Sequence, residues 1–303
     1  MLDQIQWSAR ADATVRYGSA VTFTTLIDTD SLAAHLADES FRIVDCRFAL
    51  HDAAWGEQVY TASHIPGAVH ADLKRHLAGR PTGANGRHPL PPIDDLQETF
   101  GRLGIDARRQ VVAYDQDSGM FASRLWWLLR WLRHDAVAVL DGGFAAWVAA
   151  GYPVSSAREP EIRREFTGTP RADYAAAIHD VAAVVEQGGH RLLDARAPER
   201  FNGVVEPIDR VAGHIPGARN YYHMRNVGAD GRFLPPAALR EQITAALDGV
   251  APEKTICYCG SGVTAAHNLL AMEHAGLRGA RLYAGSWSEW SSDDRRGVEK
   301  LER

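Results

Sequence analysis

The chain repeats itself, and this feature constrains its fold more than any other. The motif His-Ile-Pro-Gly-Ala begins at His64 and returns at His214, an offset of 150 residues. An apolar run ending in Asp-x-Arg occurs at Asp45 and again at Asp194, an offset of 149. Two later landmarks keep the same order, Asp115 with Cys259 and Trp147 with Trp290. Matched landmarks in one order at nearly one spacing indicate a duplicated domain.

Within each copy, short apolar runs alternate with helical patterns. In the first copy the residues Arg42–Asp45 and Val111–Tyr114 read as buried strands, and Phe121–Leu132 carries its apolar residues at helical spacing. An acidic pair at Asp94 follows two prolines, which predicts the start of another helix. This alternation predicts an α/β fold in which each copy is a mostly parallel sheet flanked by helices.

The expected domains follow from the repeat and from one change in composition. We expect an N-terminal, non-catalytic domain over residues 21–152, a linker over 153–172 and a C-terminal, catalytic domain over 173–303. The stretch from Ser155 to Pro170 is rich in Ser, Pro, Glu and Arg and has no apolar period. It is therefore predicted to be an exposed linker.

Composition excludes several classes of partner. The 303 residues are 46% hydrophobic and 23% charged, which is typical of a soluble globular protein, and the net charge is −5. Such a chain offers no basic field to a nucleic acid or an anionic membrane. The first residues lack the apolar segment of a secretion signal, so we expect a cytoplasmic protein.

The three cysteines indicate reduced thiols rather than a disulfide framework, because their number is odd and the chain is long. Cys257 and Cys259 lack the further Cys or His pair that a zinc site needs. The sequence therefore predicts no metal. Cys257 lies in an apolar strand and is expected to be buried.

Cys259 is the candidate nucleophile. It ends a β-prone run and is followed by a Gly-Ser-Gly turn and then by a helical pattern. Glycines allow backbone N–H groups to curl toward one point, and a helix start adds partial positive charge there. Such a cradle favours a thiolate, the reactive form of cysteine. The expected cradle residues are Gly260, Gly262, Val263 and Thr264.

Two other interpretations of this loop were weighed. A small buried cysteine before a helix is the structural alternative, but the first copy has Asp115 in the same place. Its charge is expected to repel an anionic substrate, so one copy is predicted to be catalytic and the other silent. A phosphatase of the Cys-x5-Arg type is excluded because Ala265 stands where the phosphate-binding arginine belongs.

Together, the paired His-Ile-Pro-Gly-Ala motifs, the loop Cys-Gly-Ser-Gly-Val-Thr and the segment Tyr283–Trp290 resemble the tandem-domain rhodanese family of sulfurtransferases over residues 21 to 300. The resemblance implies an active-site loop in a cleft between the copies. It also implies a Cys259 persulfide that passes sulfur from a small-molecule donor to cyanide, a thiol or thioredoxin, with no cofactor. A persulfide carrier or scaffold without turnover of its own stays open as a non-enzymatic alternative.

The loop resembles that of 3-mercaptopyruvate sulfurtransferases more than that of thiosulfate enzymes, which often carry Arg and Lys after the cysteine. In the former, a loop Ser with an Asp and a His of the first copy is thought to move protons at the donor. Ser261, Asp72 and His88 match these positions. The structural alternatives are a helix cap for Asp72 and an ordinary loop histidine for His88.

Arg200 matches the arginine that binds the donor in this family, and a guanidinium there suits a carboxylate or a sulfonate. The mercaptopyruvate enzymes have a second arginine nine residues later, where this chain has Asp209 followed by Arg210. Arg210 is the candidate replacement. The alternative is a surface arginine paired with Glu206 or Asp209, and thiosulfate stays open as the preferred donor.

Overall fold

The computed structural model describes residues 14–17 and 20–300, and it contains two α/β units in sequence order. The strands of the first unit are β1 (Thr14–Tyr17), β2 (Ala20–Phe23), β3 (Leu26–Ile27), β4 (Phe41–Asp45), β5 (Val69–His70), β6 (Gln110–Tyr114) and β7 (Val137–Leu140). Its helices are α1 (Thr29–Ala34), α2 (Trp55–Ala62), α3 (Leu73–His76), α4 (Ile93–Arg102), α5 (Ala122–Trp131) and α6 (Gly143–Ala149).

The second unit repeats this pattern. Its strands are β8 (Ala175–Ala176), β9 (Arg191–Asp194), β10 (Arg219–Asn220), β11 (Thr255–Tyr258) and β12 (Arg281–Tyr283). Its helices are α7 (Ile178–Gln187), α8 (Pro198–Phe201), α9 (Pro236–Leu247), α10 (Thr264–His274) and α11 (Ser286–Trp290), with 3-10 turns at His223–Asn226 and Pro252–Lys254. Among the described residues, no helix is long and apolar enough to cross a bilayer.

The two sheets have the same topology, which confirms the predicted α/β fold and its duplication. The strand order is β3-β7-β6-β4-β5 in the first unit and β8-β12-β11-β9-β10 in the second. Every pairing within these two five-stranded sheets is parallel. The strands β1 and β2 form a separate antiparallel pair. Corresponding strands occupy corresponding places, so the central strands β6 and β11 point Asp115 and Cys259 at equivalent edges.

The central strands are buried on both faces, and this explains their sequence. All five residues of β6 and all four of β11 are inaccessible or nearly so. Continuous apolar runs are typical of parallel strands covered by helices on both faces. The ligand sites of such sheets lie beyond the carboxyl ends of the strands, where Cys259 follows β11.

The linker differs from its expected exposure at one residue. The stretch from 153 to 172 carries no helix and no strand, and most of its residues are exposed. Phe166, however, is 5% exposed and packs edge-on against Phe100 with ring centroids 5.1 Å apart. An aromatic ring beside an apolar helix face buries a large area, which outweighs the polar composition around it. The linker is therefore fastened to the first unit.

One apolar cluster runs through both units. Helices α5 and α10, which follow the two equivalent loops, pack against each other. Leu125 and Leu129 of α5 belong to the same buried cluster as Leu269 and Met272 of α10. The opposite face of each sheet has a smaller cluster of its own. The two units thus share their largest core, and we call the contact between them the seam.

A buried histidine also bonds across the seam. His267 Nε2 lies 2.9 Å from the carbonyl oxygen of Ser118 in the first unit, and Nδ1 lies 3.1 Å from the amide nitrogen of Asn226. The Asn226 amide donates to Nδ1, so the proton of the neutral ring is on Nε2 and is donated to Ser118. Burial, followed by the charge of His223, lowers the pKa of His267 to about 3.

We expect the free energy of unfolding to fall as the pH drops from 7 to 4. The pKa values of His88 and His267 are lowered from 6.5 to about 3, mainly by burial. The unfolded chain therefore binds more protons in that window, and each histidine removes up to about 1.4 kcal/mol per pH unit. Burial raises the pKa of Asp115 from 3.8 to about 6, which acts in the opposite direction below pH 6 but only once.

Chemical denaturation at several pH values measures this balance. A free energy of unfolding that stays constant or rises on acidification from pH 7 to 5 would contradict the neutral state of these histidines.

Candidate active site

The loop after β11 is held from below by the start of α11. The backbone N–H groups of Trp287 and Ser288 donate to the carbonyl oxygens of Cys259 and Gly260, at 2.9 and 3.0 Å. Cys259 itself is buried, and its Sγ accepts a hydrogen bond of 3.1 Å from the N–H of Gly262. An amide aimed at this sulfur stabilises negative charge on it.

Gly262 is required by geometry. Its φ is +77°, a conformation that residues with a side chain rarely adopt. A methyl group at this position would also lie 2.5 Å from the carbonyl oxygen of Ala284. The tight turn that aims the Gly262 amide at Cys259 therefore depends on glycine.

The other amides of the loop point to no acceptor within the chain. Among the described residues, no hydrogen bond is made by the N–H groups of Gly260, Ser261, Val263 and Thr264. The last of these begins helix α10, whose first turn leaves its amides without intrahelical partners. The predicted cradle residues thus surround the sulfur with available donors.

The silent copy shows what such a loop can hold. The carboxylate of Asp115 accepts hydrogen bonds from the amides of Gly119, Phe121 and Ala122, at 2.9, 2.6 and 3.1 Å. The expectation that Asp115 repels an anionic substrate is wrong in this geometry, because its carboxylate is buried within its own loop. A negative group in the equivalent place is stabilised by backbone amides at the start of the next helix.

Ser261 and His88 meet across the seam. The Ser261 Oγ and the His88 Nδ1 are 2.8 Å apart, although 173 residues separate them in sequence. Burial, followed by the charges of Arg124 and Arg87, lowers the pKa of His88 to about 3. The ring is therefore neutral near pH 7 and can accept or donate a proton through the serine hydroxyl.

Asp72 has a different position from the one that the resemblance implies. Its Oδ1 caps helix α3 by accepting from the amides of Lys74 and Arg75, each at 2.8 Å. Within the described part of the chain, no hydrogen bond joins Asp72 to His88. Its charge acts on His88 only as the weakest of five influences on the pKa of that ring. The structure brings together Ser261 and His88, while Asp72 serves as a cap.

Arg124 is a buried cation that the sequence analysis missed. Its guanidinium is inaccessible and donates to the carbonyl oxygens of Gly262, His88 and Leu77, at 3.0, 3.1 and 3.2 Å. Among the described residues, no carboxylate lies within ion-pair distance of it. One charged residue inside the otherwise apolar start of α5 was the available signal, because charges are rarely fully buried without a role.

Ser286 is a second residue that was missed. Its Oγ accepts a hydrogen bond of 3.1 Å from the N–H of Cys259 and donates to the carbonyl oxygen of Tyr283 at 2.8 Å. The φ of Ser286 is +55°, and that of the equivalent Gly143 in the silent copy is +57°. The catalytic copy thus keeps a strained serine where the other has glycine, at a cost of about 1–3 kcal/mol. Aligning the two copies would have revealed this difference.

The two candidate arginines have different surroundings. Arg200 is mostly buried and bonds Glu206 Oε1 at 2.7 Å and Asp209 Oδ2 at 3.1 Å. The Arg210 guanidinium is 61% exposed and bonds Asp294 instead. The placement expected for Arg210, at the donor site, is therefore wrong, as is its alternative pairing with Glu206 or Asp209. Both of those carboxylates are turned inward to Arg200.

Comparison with known proteins agrees with this geometry. The family model of the rhodanese-like domain matches residues 28–150 and 177–293. A Pseudomonas aeruginosa protein named "Probable 3-mercaptopyruvate sulfurtransferase" is 48% identical over 90% of this chain and 97% of its own length. A Mycobacterium tuberculosis protein named for thiosulfate sulfurtransferase activity, SseB, is 38% identical over 90% of this chain and 96% of its own.

Solved structures give the same result. The 3-mercaptopyruvate sulfurtransferase of Leishmania major superimposes with a TM-score of 0.79 at 31% identity, over 90% of this chain and 75% of that one. Escherichia coli SseA, described as a 3-mercaptopyruvate sulfotransferase with the rhodanese fold, has a TM-score of 0.76 at 30% identity. That match covers 87% of this chain and 99% of the other.

The strain at Ser286 predicts an unusual order of stability. We expect Ser286→Gly to unfold within about 1 kcal/mol of the native chain, since relief of the positive φ offsets the lost hydrogen bonds. Ser286→Ala keeps the strain and loses the same bonds, so it should be less stable than the glycine variant. Both should transfer sulfur more slowly, because the Cys259 amide loses its acceptor.

Chemical denaturation and steady-state assays of the two variants measure these effects. An alanine variant that is more stable than the glycine variant would show that the positive φ carries no strain.

Proposed function

Because the chain belongs to the rhodanese family and is a sulfurtransferase, we propose that it takes sulfur from 3-mercaptopyruvate and passes it on through a persulfide of Cys259. The observation that carries the choice of donor is the 2.8 Å contact between Ser261 and His88. Of the two donors considered, only mercaptopyruvate needs a proton to be moved. The similarity to proteins named for that activity supports the same choice.

The first half-reaction conserves its atoms without a cofactor. The Cys259 thiolate attacks the donor sulfur, the carbon–sulfur bond breaks, and its electron pair remains on the carbon as the enolate of pyruvate. The proton of the donor thiol ends on that carbon, which gives pyruvate and a persulfide anion on Cys259. Ser261 and neutral His88 form the relay that moves this proton.

In the second half-reaction an acceptor takes the outer sulfur. Cyanide attacks it, the sulfur–sulfur bond breaks, and thiocyanate leaves while the Cys259 thiolate is restored. A small thiol or thioredoxin takes the same place as cyanide. The loop amides hold the persulfide charge between the two steps, as the equivalent amides hold the carboxylate of Asp115.

Thiosulfate is the second candidate donor. The similarity to SseB of Mycobacterium tuberculosis favours it, and guanidinium groups near the loop suit a sulfonate as well as a carboxylate. Transfer from thiosulfate releases sulfite and moves no proton. The two donors therefore make different demands on Ser261 and His88.

Replacement of Cys259 tests the carrier. We expect Cys259→Ser to abolish sulfur transfer from either donor, because the alcohol does not form a persulfide, while the fold stays intact. The matched control is Cys257→Ala, since Cys257 is buried two residues away with its pKa raised to about 12 by burial. It should keep the activity.

Intact mass after exposure to donor, together with repeated conversion of cyanide to thiocyanate, measures the outcome. Residual turnover by Cys259→Ser would refute the assignment. A native chain that gains one sulfur atom but does not turn over would instead identify a persulfide carrier.

Ser261→Ala tests the donor. We expect kcat with mercaptopyruvate to fall by about 100-fold or more, because the proton relay is broken. Turnover of thiosulfate should change by less than about threefold, because no proton is moved. An equal loss with both donors would show that Ser261 shapes the loop rather than relaying a proton, and a native preference for thiosulfate would overturn the choice of donor.

A further inference from the structure

A second guanidinium faces the catalytic loop, and it comes from the silent copy. A methyl group at Gly260 would lie 2.9 Å from Nη2 of Arg87 and 3.6 Å from both terminal nitrogens of Arg200. Both guanidinium groups thus border the residue that follows the nucleophile. Arg87 lies in the first unit, directly before His88, and Arg200 lies in helix α8 of the second.

Asp209 connects the two arginines. Nη1 of Arg87 donates to its Oδ1, and Nη2 of Arg200 donates to its Oδ2 at 3.1 Å. One carboxylate therefore spans both groups, with one oxygen on each. The side chain of Asp209 is 5% exposed, so this bridge is fixed inside the protein. The spacing of the two guanidinium groups is that of a carboxylate.

The remaining nitrogens point the other way. Among the described residues, Nη2 of Arg87 and Nη1 of Arg200 have no hydrogen-bond acceptor. These same nitrogens lie close to Gly260. The pair thus presents one side to Asp209 and an equivalent set of donors to the loop. Planar guanidinium groups commonly bind two acceptors in this way.

The backbone fixes Arg87 in this position. Its N–H donates to the Ser288 Oγ at 3.1 Å, and the next residue, His88, bonds Ser261. Gly86, the residue before it, packs on the backbone of Gly285, where a methyl group would lie 2.7 Å from the carbonyl oxygen. The segment that carries Arg87 is therefore attached to the second unit at three successive residues.

We propose that Arg87 and Arg200, one from each copy, bind the carboxylate of the sulfur donor, and that Asp209 holds both in place. This inference rests on the proposed function, because it requires a donor with a carboxylate. Asp209 stands where related enzymes are expected to have their second arginine. The positive charge has moved to the other copy, and the aspartate that replaced the arginine now orients it.

The donor is then held at both ends by one segment of the silent copy. Arg87 binds its carboxylate, and His88 serves the proton relay at the other end. An anion bound by two guanidinium groups places the carbon–sulfur bond over the loop, where Cys259 attacks it. The silent copy thereby contributes to donor specificity.

Removal of the carboxylate from the donor tests this assignment. We expect Arg87→Gln to lower kcat/KM for mercaptopyruvate by about 10- to 100-fold, mainly through KM, since a charged hydrogen bond is lost. Mercaptoacetone, in which a methyl group replaces the carboxylate, should change by less than about threefold. Arg87→Lys should fall between the two, because it keeps the charge but not the planar fork.

Arg80→Gln is the matched control, because it removes the same charge from an exposed residue of the same segment. It should affect neither donor. An equal loss with both donors in Arg87→Gln, or a loss that appears in Arg210→Gln instead, overturns the proposal.

Inhibition by pyruvate separates this inference from the proposed function. Pyruvate carries the same carboxylate and competes at the donor site whichever donor is turned over. If the native chain uses only thiosulfate, the choice of donor fails, and the inhibition constant of pyruvate still reports on Arg87. We expect that constant to rise at least about 10-fold in Arg87→Gln, and an unchanged value refutes the role of Arg87.

Discussion

The buried guanidinium of Arg124 is the interaction on which the site depends. Burial of a charge is costly unless the group is fully hydrogen-bonded, and Arg124 achieves this with backbone carbonyl groups alone. These carbonyls belong to the catalytic loop, to the segment of His88 and to the end of α3. Because the acceptors are neutral, the positive charge is not cancelled. Burial lowers the pKa of Arg124 to about 10, and the charge of Cys259 opposes that shift.

The same cation explains why the silent copy was retained. Arg124 lies on α5, the helix that corresponds to α10 of the catalytic copy, and its side chain reaches across the seam to the carbonyl oxygen of Gly262. His88 and Arg87 come from the same unit. The first unit lost its own nucleophile and became the opposite wall of the site. Duplication followed by specialisation of one loop is sufficient to produce this arrangement.

Much of the fold was predictable from local patterns. The buried runs that became β4 and β6, the helical period of α5 and the position of Cys259 between strand and helix all follow from residues within about ten positions of one another. The contacts that make the site were harder to predict. Arg124 bonds a residue 138 positions away, and Arg87 bonds one 122 positions away.

Such pairings depend on how two sheets dock, which no local period reveals. Asp209 illustrates the difficulty. In the sequence it is the absence of an expected arginine. In three dimensions it is the carboxylate between two others. Ser286 is an intermediate case, because its role could be found by comparing the two copies but not from either copy alone. The burial of Phe166 was concealed by the polar residues around it.

The shared cluster between α5 and α10 has a consequence for the history of the gene. Many duplicated domains can later separate into independent proteins, because each half keeps a complete core. Here separation would expose the apolar sides of both helices and leave the His267 ring without Ser118. It would also divide the residues of one reaction between two polypeptides. The duplication is therefore irreversible in practice, and the pair of domains has become the smallest unit that selection can act on.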